Sequence, residues 1–130
     1  MRNAFVALFF ALFMLAPARG SNAGLDYEAV SVAPDSMELI VVEADGCIYC
    51  GLFRRDVLKS YAASEQGKQL PVRFVDVNDV ETQHLDFKAP VDIVPTFVVV
   101  KSLHEVGRIS GYVGPENFYH SISYLLGAAP

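Results

Sequence analysis

The stretch LIVVEADGCIYC, residues 39–50, decides the fold, and it holds the only two cysteines of the chain. Its apolar half, Leu39–Val42, is followed by a polar turn, and the amphipathic stretch Gly51–Ala63 comes directly after Cys50. This order predicts a strand, a tight turn and a helix whose N-terminus carries Cys47. Unpaired backbone N–H groups and the helix dipole stabilise a thiolate there. Cys50 follows one helical turn later, where it can attack a mixed disulfide and close an internal one.

Length and charge narrow the class of protein. The chain has 130 residues, which suits one domain, and 52% of them are hydrophobic, including nine phenylalanines for a packed core. Its net charge of −5 argues against a nucleic-acid partner, because phosphate binding needs a basic face.

The N-terminal residues 1–23 are predicted to be a secretory signal peptide. A short basic start precedes the apolar run Ala4–Ala16, and small residues allow cleavage after about Ala18 or Ala23. The alternative is a transmembrane anchor, but the run is short against the ~20 residues that a helix needs to cross a bilayer. We therefore expect export to an oxidising space, where disulfides persist, with residues 24–36 as a lead-in segment.

Strand and helix patterns alternate after residue 36. Strands are predicted at 37–43, 72–77, 96–101 and 106–110, with a loop at 88–94 and a turn at 102–105. Helices are predicted at 50–64, with a stop at Gly67, and from the cap at 78–79 to about 87. A last helix begins at Pro115, and its apolar stripe consists of Phe118, Ile122, Leu125 and Leu126. The order β-α-β-α-β-β-α predicts an α/β fold in which helices flank a small mixed four-stranded sheet. The last two strands form an antiparallel hairpin.

Three motifs resemble those of thioredoxin-like redox proteins. The first is the C-x-x-C at a strand-to-helix turn. The second is Val94-Pro95-Thr96 at the start of the third strand, which resembles the family's cis-proline element. The third is Gly111–Phe118, which resembles the glycine turn and helix start that end many such domains. The resemblance covers about Met37–Leu126 and implies a thioredoxin-like domain at 37–127.

The resemblance implies a mechanism and a set of site residues. Cys47 would be the nucleophile and Cys50 the resolving cysteine. Pro95 would be cis and lie beside the sulfurs, with Val94, Thr96 and Tyr49 in the substrate-binding surface. The implied activity is thiol–disulfide exchange with a protein substrate, with the Cys47–Cys50 disulfide as redox group and no separate cofactor. A membrane-bound thiol-reducing relay would reset the pair in the periplasm.

Among exported members, the chain most resembles the small periplasmic thioredoxins of bacterial sulfur-oxidation (Sox) systems, the SoxS type. The implied partner is the carrier protein whose cysteine holds the sulfur intermediate. The chain departs from cytoplasmic thioredoxin in having Gly46 in place of a tryptophan and Val41 in place of a buried aspartate. Glu43 or Asp45 is the candidate substitute for that acid.

Other interpretations of the cysteine pair stay open at this point. It could be a structural disulfide, although so small a loop adds little stability. Zinc would need two further ligands, and His84, His104 and His120 do not pair at ligand spacing, so no metal is expected. A disulfide-forming oxidase of the same fold is one alternative function, and a non-catalytic peptide-binding module is another. Tyr49 could equally be a half-exposed turn aromatic.

Overall fold

The computed structural model of the chain describes residues 35–128. The predicted signal peptide at 1–23 and residues 24–34 of the lead-in segment therefore lie outside the described residues. Between residues 35 and 128, no helix has both the length and the apolar character that crossing a membrane requires.

The described residues form four strands and a set of helical segments in the predicted order. The strands are β1 (Met37–Glu43), β2 (Val72–Asp76), β3 (Thr96–Lys101) and β4 (His104–Ser110); the helices are α1 (Ile48–Phe53), a π-helical segment (Arg54–Leu58), α2 (Lys59–Ala63), α3 (Glu65–Gln69), a 3-10 helix (Val80–Gln83) and α4 (Pro115–Ala128). The predicted bounds of β1 and β3 are confirmed. Both strands are nearly continuous apolar runs, as expected of strands covered on both faces.

The sheet has the order β2-β1-β3-β4. β1 pairs parallel with β2 and antiparallel with β3, and β3 pairs antiparallel with β4. This confirms the predicted mixed four-stranded sheet with a final hairpin. It also makes β1 a central strand, so the turn that follows β1 emerges from the middle of the sheet edge.

One face of the sheet, here called the helix face, is covered by α1, α2 and α4. Leu39, Val41, Phe97 and Val99 point to this face and are fully buried. Phe53 lies at its centre, with its ring centroid 4.7 Å from that of Phe97. The predicted stripe of α4 is confirmed, because Phe118 and Ile122 are buried and Leu125 and Leu126 pack against the same cluster. Aromatic rings in such offset and edge contacts contribute beyond their buried area.

The opposite face, here called the loop face, carries aliphatic side chains and is covered by a mostly irregular segment. Ile40, Val42, Val98 and Val100 are buried there beneath residues that include Val80, Leu85, Phe87 and Val91. The helix predicted from residues 78–79 to about 87 begins after Asp79 as expected, but its predicted length is wrong. It is a four-residue 3-10 helix, and His84 ends it in a left-handed conformation with φ 53°.

The helix that follows the cysteines starts earlier and ends earlier than predicted. It begins at Ile48 with Cys47 as N-cap and ends at Ala63. The predicted stop at Gly67 is wrong, because Ser64 breaks the helix and its hydroxyl oxygen accepts the N–H of Gly67 at 3.0 Å to start α3. A Cβ at Gly67 would lie 2.0 Å from the carbonyl oxygen of Tyr61, so this site needs glycine for close approach.

The hairpin between β3 and β4 is tighter than predicted. Ser102 and Leu103 alone form the turn, with φ of 50° and 70°, and β4 begins at His104 and not at Val106. Positive φ at both central residues is the geometry of a type I′ turn. The sequence lacks the Asn-Gly signal that usually marks such a turn, which explains the error.

Candidate active site

Cys47 and Cys50 form a disulfide at the N-terminus of α1. Gly46 supplies the left-handed turn before them, with φ 72°. Cys47 then adopts extended backbone as the N-cap, and its Sγ accepts the backbone N–H of Cys50 at 3.1 Å. Cys47 is half-buried whereas Cys50 is only 4% exposed. Solvent and a partner molecule therefore reach the first sulfur more readily than the second.

The peptide bond between Val94 and Pro95 is cis, as the resemblance implied. Thr96, the next residue, pairs with Val42 at the end of β1. The cis-proline element and the cysteine turn therefore emerge at the same end of the sheet. The Pro95 carbonyl oxygen accepts the N–H of Gly111 at 2.8 Å, which brings the loop after β4 to this end as well.

The residues expected to bind substrate differ in accessibility. Tyr49 is exposed, Val94 is half-buried against the loop-face cluster, and Pro95 and Thr96 are buried. The hydroxyl of Thr96 donates to the carbonyl oxygen of Ile93 at 2.7 Å. This bond fixes the turn that precedes β3. The buried Thr96 therefore supports the cis-proline element from the protein interior, while the Ile93 side chain is exposed to solvent.

Four large apolar side chains are exposed on the three segments that meet at this end of the sheet. They are Ile48 (76% exposed), Tyr49 (58%), Ile93 (53%) and Val113 (80%). Sequence reasoning found only Tyr49 among them. The other three lie within two residues of a motif position, and this proximity is the only sequence signal that could have found them.

Neither candidate replaces the buried acid that thioredoxins have at the position of Val41. Val41 is fully buried in the helix-face cluster. Asp45 is exposed, and the Glu43 carboxylate is held by Arg54 at 2.6 and 3.1 Å. The Arg54 guanidinium in turn stacks 3.6 Å above the ring centroid of Phe74. The Glu43 carboxylate is thus committed to a bidentate ion pair with Arg54.

The loop after β4 is anchored to the cysteine helix through Tyr112. Its ring lies edge-on to that of Phe53, with centroids 5.9 Å apart. Burial raises the pKa of the Tyr112 hydroxyl, and the nearby negative charge of Asp56 adds to the effect. Hydrogen bonds from Arg55 hold the pKa of the Asp56 carboxyl below its usual value. Tyr112 therefore stays neutral near pH 7 and acts as a packing residue.

Among residues 35–128, no group of three or more His, Cys, Asp or Glu side chains is placed to hold a metal ion. His84 and His120 are exposed, and the Nδ1 atom of His104 lies 2.8 Å from the Asp86 carboxylate.

The fold and the site together define a thiol–disulfide oxidoreductase of the thioredoxin-like class. The family model for a thioredoxin-like domain matches residues 32–126, so the chain belongs to that family. Members use their own cysteine pair as the redox group, which here is Cys47–Cys50.

The chain is also similar to several solved structures. The periplasmic thioredoxin SoxS from Paracoccus pantotrophus is 30% identical, with a TM-score of 0.69 over 72% of this chain and 99% of that one. The thioredoxin Mala s 13 of Malassezia sympodialis is 20% identical over 69% of this chain and 77% of that one, with a TM-score of 0.55. A thioredoxin-2 of a malaria parasite is 18% identical over 69% and 84%, with a TM-score of 0.53. The last two show the fold alone. No curated protein matches the chain in a sequence comparison.

Proposed function

We propose that the chain is exported to the periplasm and reduces a disulfide or mixed disulfide on a specific partner protein, with Cys47 as nucleophile and Cys50 as resolving cysteine. The observation that carries this proposal is the pairing of a half-exposed Cys47 with a buried Cys50 at a helix N-terminus, at the sheet end that bears the cis bond before Pro95. A helix N-terminus favours the thiolate, which is the attacking form.

The reaction transfers two electrons in two exchange steps. The Cys47 thiolate attacks one sulfur of the partner disulfide, and the partner's other sulfur leaves as a thiolate. The Cys50 thiolate then attacks Cys47 Sγ, closes the Cys47–Cys50 disulfide and releases the partner's second thiolate. The partner gains two electrons, the chain becomes oxidised, and a dithiol donor must reduce it again. We assign that role to a membrane-bound thiol-reducing relay.

The exposed side chains favour a protein partner. Ile48, Tyr49, Ile93 and Val113 offer apolar contact area around the cysteine turn, which suits a polypeptide segment. We place the partner's main chain beside Val94 and Pro95, in the manner of an added strand. Thr96 keeps that backbone in place through its bond to Ile93.

We further propose a sulfur-oxidation carrier protein as the partner. Two observations support this choice, namely the 30% identity to the periplasmic thioredoxin SoxS and the N-terminal sequence pattern of a signal peptide. Both also support the periplasmic location. Reduction of a mixed disulfide on such a carrier follows the same two steps.

Covalent trapping tests the proposal directly. Cys50→Ala leaves the mixed disulfide without a resolving thiol, so the variant should accumulate a covalent complex through Cys47 in periplasmic extract. Cys47→Ala is the matched control and should trap nothing. Mass spectrometry of the captured protein identifies the partner. Failure of Cys50→Ala to trap any protein, together with a Cys47 thiol inert to iodoacetamide at pH 7, would contradict the proposal.

The reduction potential separates a reductase from a disulfide-forming oxidase. We expect a reduction potential close to that of thioredoxin, which is about −270 mV, and far from that of strong oxidants, which is about −120 mV. Equilibration with glutathione or dithiothreitol buffers gives this number. A value close to that of the oxidants would reverse the proposed direction of electron flow.

A further inference from the structure

A buried ion pair lies on β4, outside the cysteine site. The Arg108 guanidinium donates to both carboxylate oxygens of Glu105, at 2.7 Å from Nε and 2.5 Å from Nη2. Glu105 is only 8% exposed. A charged pair is costly to bury, and replacing one by apolar side chains is often neutral for stability. The groups that this pair contacts therefore indicate its role better than its net contribution to stability does.

The pair exists because β4 contains a bulge. Residues three apart on a regular strand point to opposite faces of the sheet. Here Val99 pairs with Gly107 but Val100 pairs with Glu105, so Val106 is an extra residue. The bulge turns Glu105 to the loop face, where Arg108 already points as the neighbour of Val98.

The pair holds the main chain that leads to the cis-proline. The Glu105 carboxylate accepts the backbone N–H of Lys88 at 2.8 Å. The Arg108 guanidinium donates to the carbonyl oxygens of Ala89 at 2.8 Å and Pro90 at 3.0 Å. These three residues belong to the segment without helix or strand that runs into Val94–Pro95. Three main-chain groups that no regular element could satisfy are thus fixed by one buried pair.

We propose that Glu105 and Arg108 are positioning residues that set the cis-proline element for partner binding. The inference rests on the proposed reductase function, because it concerns the surface on which the partner disulfide is held. The pair acts through the main chain, because its hydrogen bonds go to Lys88, Ala89 and Pro90. The pair fixes the main chain at Lys88–Pro90, and the chain then continues through Ile93 to Pro95. The hydrogen bond from the Thr96 hydroxyl to the Ile93 carbonyl oxygen holds this second part.

The test compares two arginines that both pair with glutamates on the loop face. Arg108→Met removes the guanidinium and keeps a long apolar stem. Arg73→Met is the matched control, because Arg73 binds Glu38 at 2.9 Å and Gln83 at 3.1 Å, away from residues 88–90. Two rates are measured for each variant: reduction of insulin disulfides with dithiothreitol as electron donor, and alkylation of reduced Cys47 by iodoacetamide.

We expect Arg108→Met to lower kcat/KM for insulin by about 10-fold to about 100-fold, mainly through KM, because misplaced binding groups weaken catalysis from a distance. The alkylation rate of Cys47 should stay within about twofold in both variants, and Arg73→Met should stay within about twofold in both assays. Equal losses in the two variants, or a parallel loss of Cys47 reactivity in Arg108→Met, would overturn the inference.

Glu105→Gln keeps the test decisive if Arg108→Met fails to fold. Glutamine can still accept the N–H of Lys88 but holds the guanidinium less strongly, so an intermediate rise in KM is expected. An unchanged KM in a folded Glu105→Gln would overturn the inference. If the native chain does not reduce insulin, the same rates are measured with the protein captured by Cys50→Ala, and failure to reduce both substrates would contradict the proposed function and the inference with it. An active native chain with an equally active Arg108→Met would overturn the inference alone.

Discussion

The two faces of the sheet are covered in different ways. The helix face is filled by aromatic side chains from α1, α2 and α4, centred on Phe53. The buried cluster of the loop face is aliphatic, with valine and isoleucine from the sheet, and the segment above it has four residues of 3-10 helix. Side-chain packing holds the first cover. The second cover combines aliphatic packing with hydrogen bonds between the Glu105–Arg108 pair and the main chain of Lys88 and Ala89.

This difference matters at the end of the sheet where the candidate site lies. Cys47 and Cys50 belong to the helix face, because α1 carries them. Pro95 belongs to the segment of the loop face. The side packed by aromatic rings therefore supplies the reactive groups. The side with the additional polar support supplies the element proposed to bind the partner.

The largest expected effect tests the packing of the helix face. Phe53→Ala should lower the free energy of unfolding by about 3–5 kcal/mol, because it removes a fully buried ring that contacts several others. Val98→Ala on the loop face should cost only about 2 kcal/mol, since it removes about two methylene equivalents. Urea denaturation of both variants gives the two values. A loss in Val98→Ala as large as that in Phe53→Ala would contradict the contrast between the faces.

A smaller effect tests the polar support of the loop face. Hydrogen bonds from Arg108 lower the pKa of the Glu105 carboxyl below its ordinary value of 4.5. A carboxyl with a lowered pKa in the folded state contributes stability above its ordinary pKa and loses it as the pH falls toward the folded-state value. Glu105→Gln should therefore cost about 1–2 kcal/mol at pH 7 and weaken the decline in stability below about pH 4.5.

The measurement is urea denaturation of the native chain and Glu105→Gln from neutral pH down to about pH 3, across the window set by that carboxyl. Glu38→Gln is the matched control, because Glu38 pairs with Arg73 at a more exposed position. Because exposed ion pairs contribute little, Glu38→Gln should cost less stability at pH 7 than Glu105→Gln. If Glu105→Gln and the native chain declined in parallel, the buried pair would not be the support that the geometry indicates.

The helix face was predictable because its pattern is periodic. Phe118 and Ile122 recur at helical spacing, and β1 and β3 contain the consecutive apolar runs Leu39–Val42 and Phe97–Val100, so their positions and burial follow from the sequence. The loop face was not. The apolar residues of the segment that covers it have no fixed period, and Glu105 and Arg108 meet only because a bulge that the sequence does not mark shifts their register.

The candidate site divides in the same way. The two cysteines and Pro95 belong to short motifs that can be recognised in the sequence without knowledge of the tertiary structure. The structure brings these motifs to one end of the sheet. Ile48 and Val113 lie at positions that their motifs leave variable, and Ile93 lies just before a motif. Their exposure depends on how three separate segments meet, which is a property of the tertiary structure and not of any local pattern.

The smallest expected effect concerns the turn at Ser102 and Leu103, which joins β3 to β4. Leu103 has φ 70°, a conformation that costs a side-chain-bearing residue about 1 kcal/mol or more. Leu103→Gly and Leu103→Ala both remove the side chain, but only glycine relieves the backbone, so the glycine variant should be about 1 kcal/mol the more stable. Both keep the Leu103 carbonyl oxygen that accepts the N–H of Asp86 at 3.0 Å. Paired thermal and urea denaturation gives the sign. An alanine variant as stable as the glycine variant would mean that the turn is not left-handed in solution, and the anchor of the loop-face segment at Asp86 would then need a different geometry.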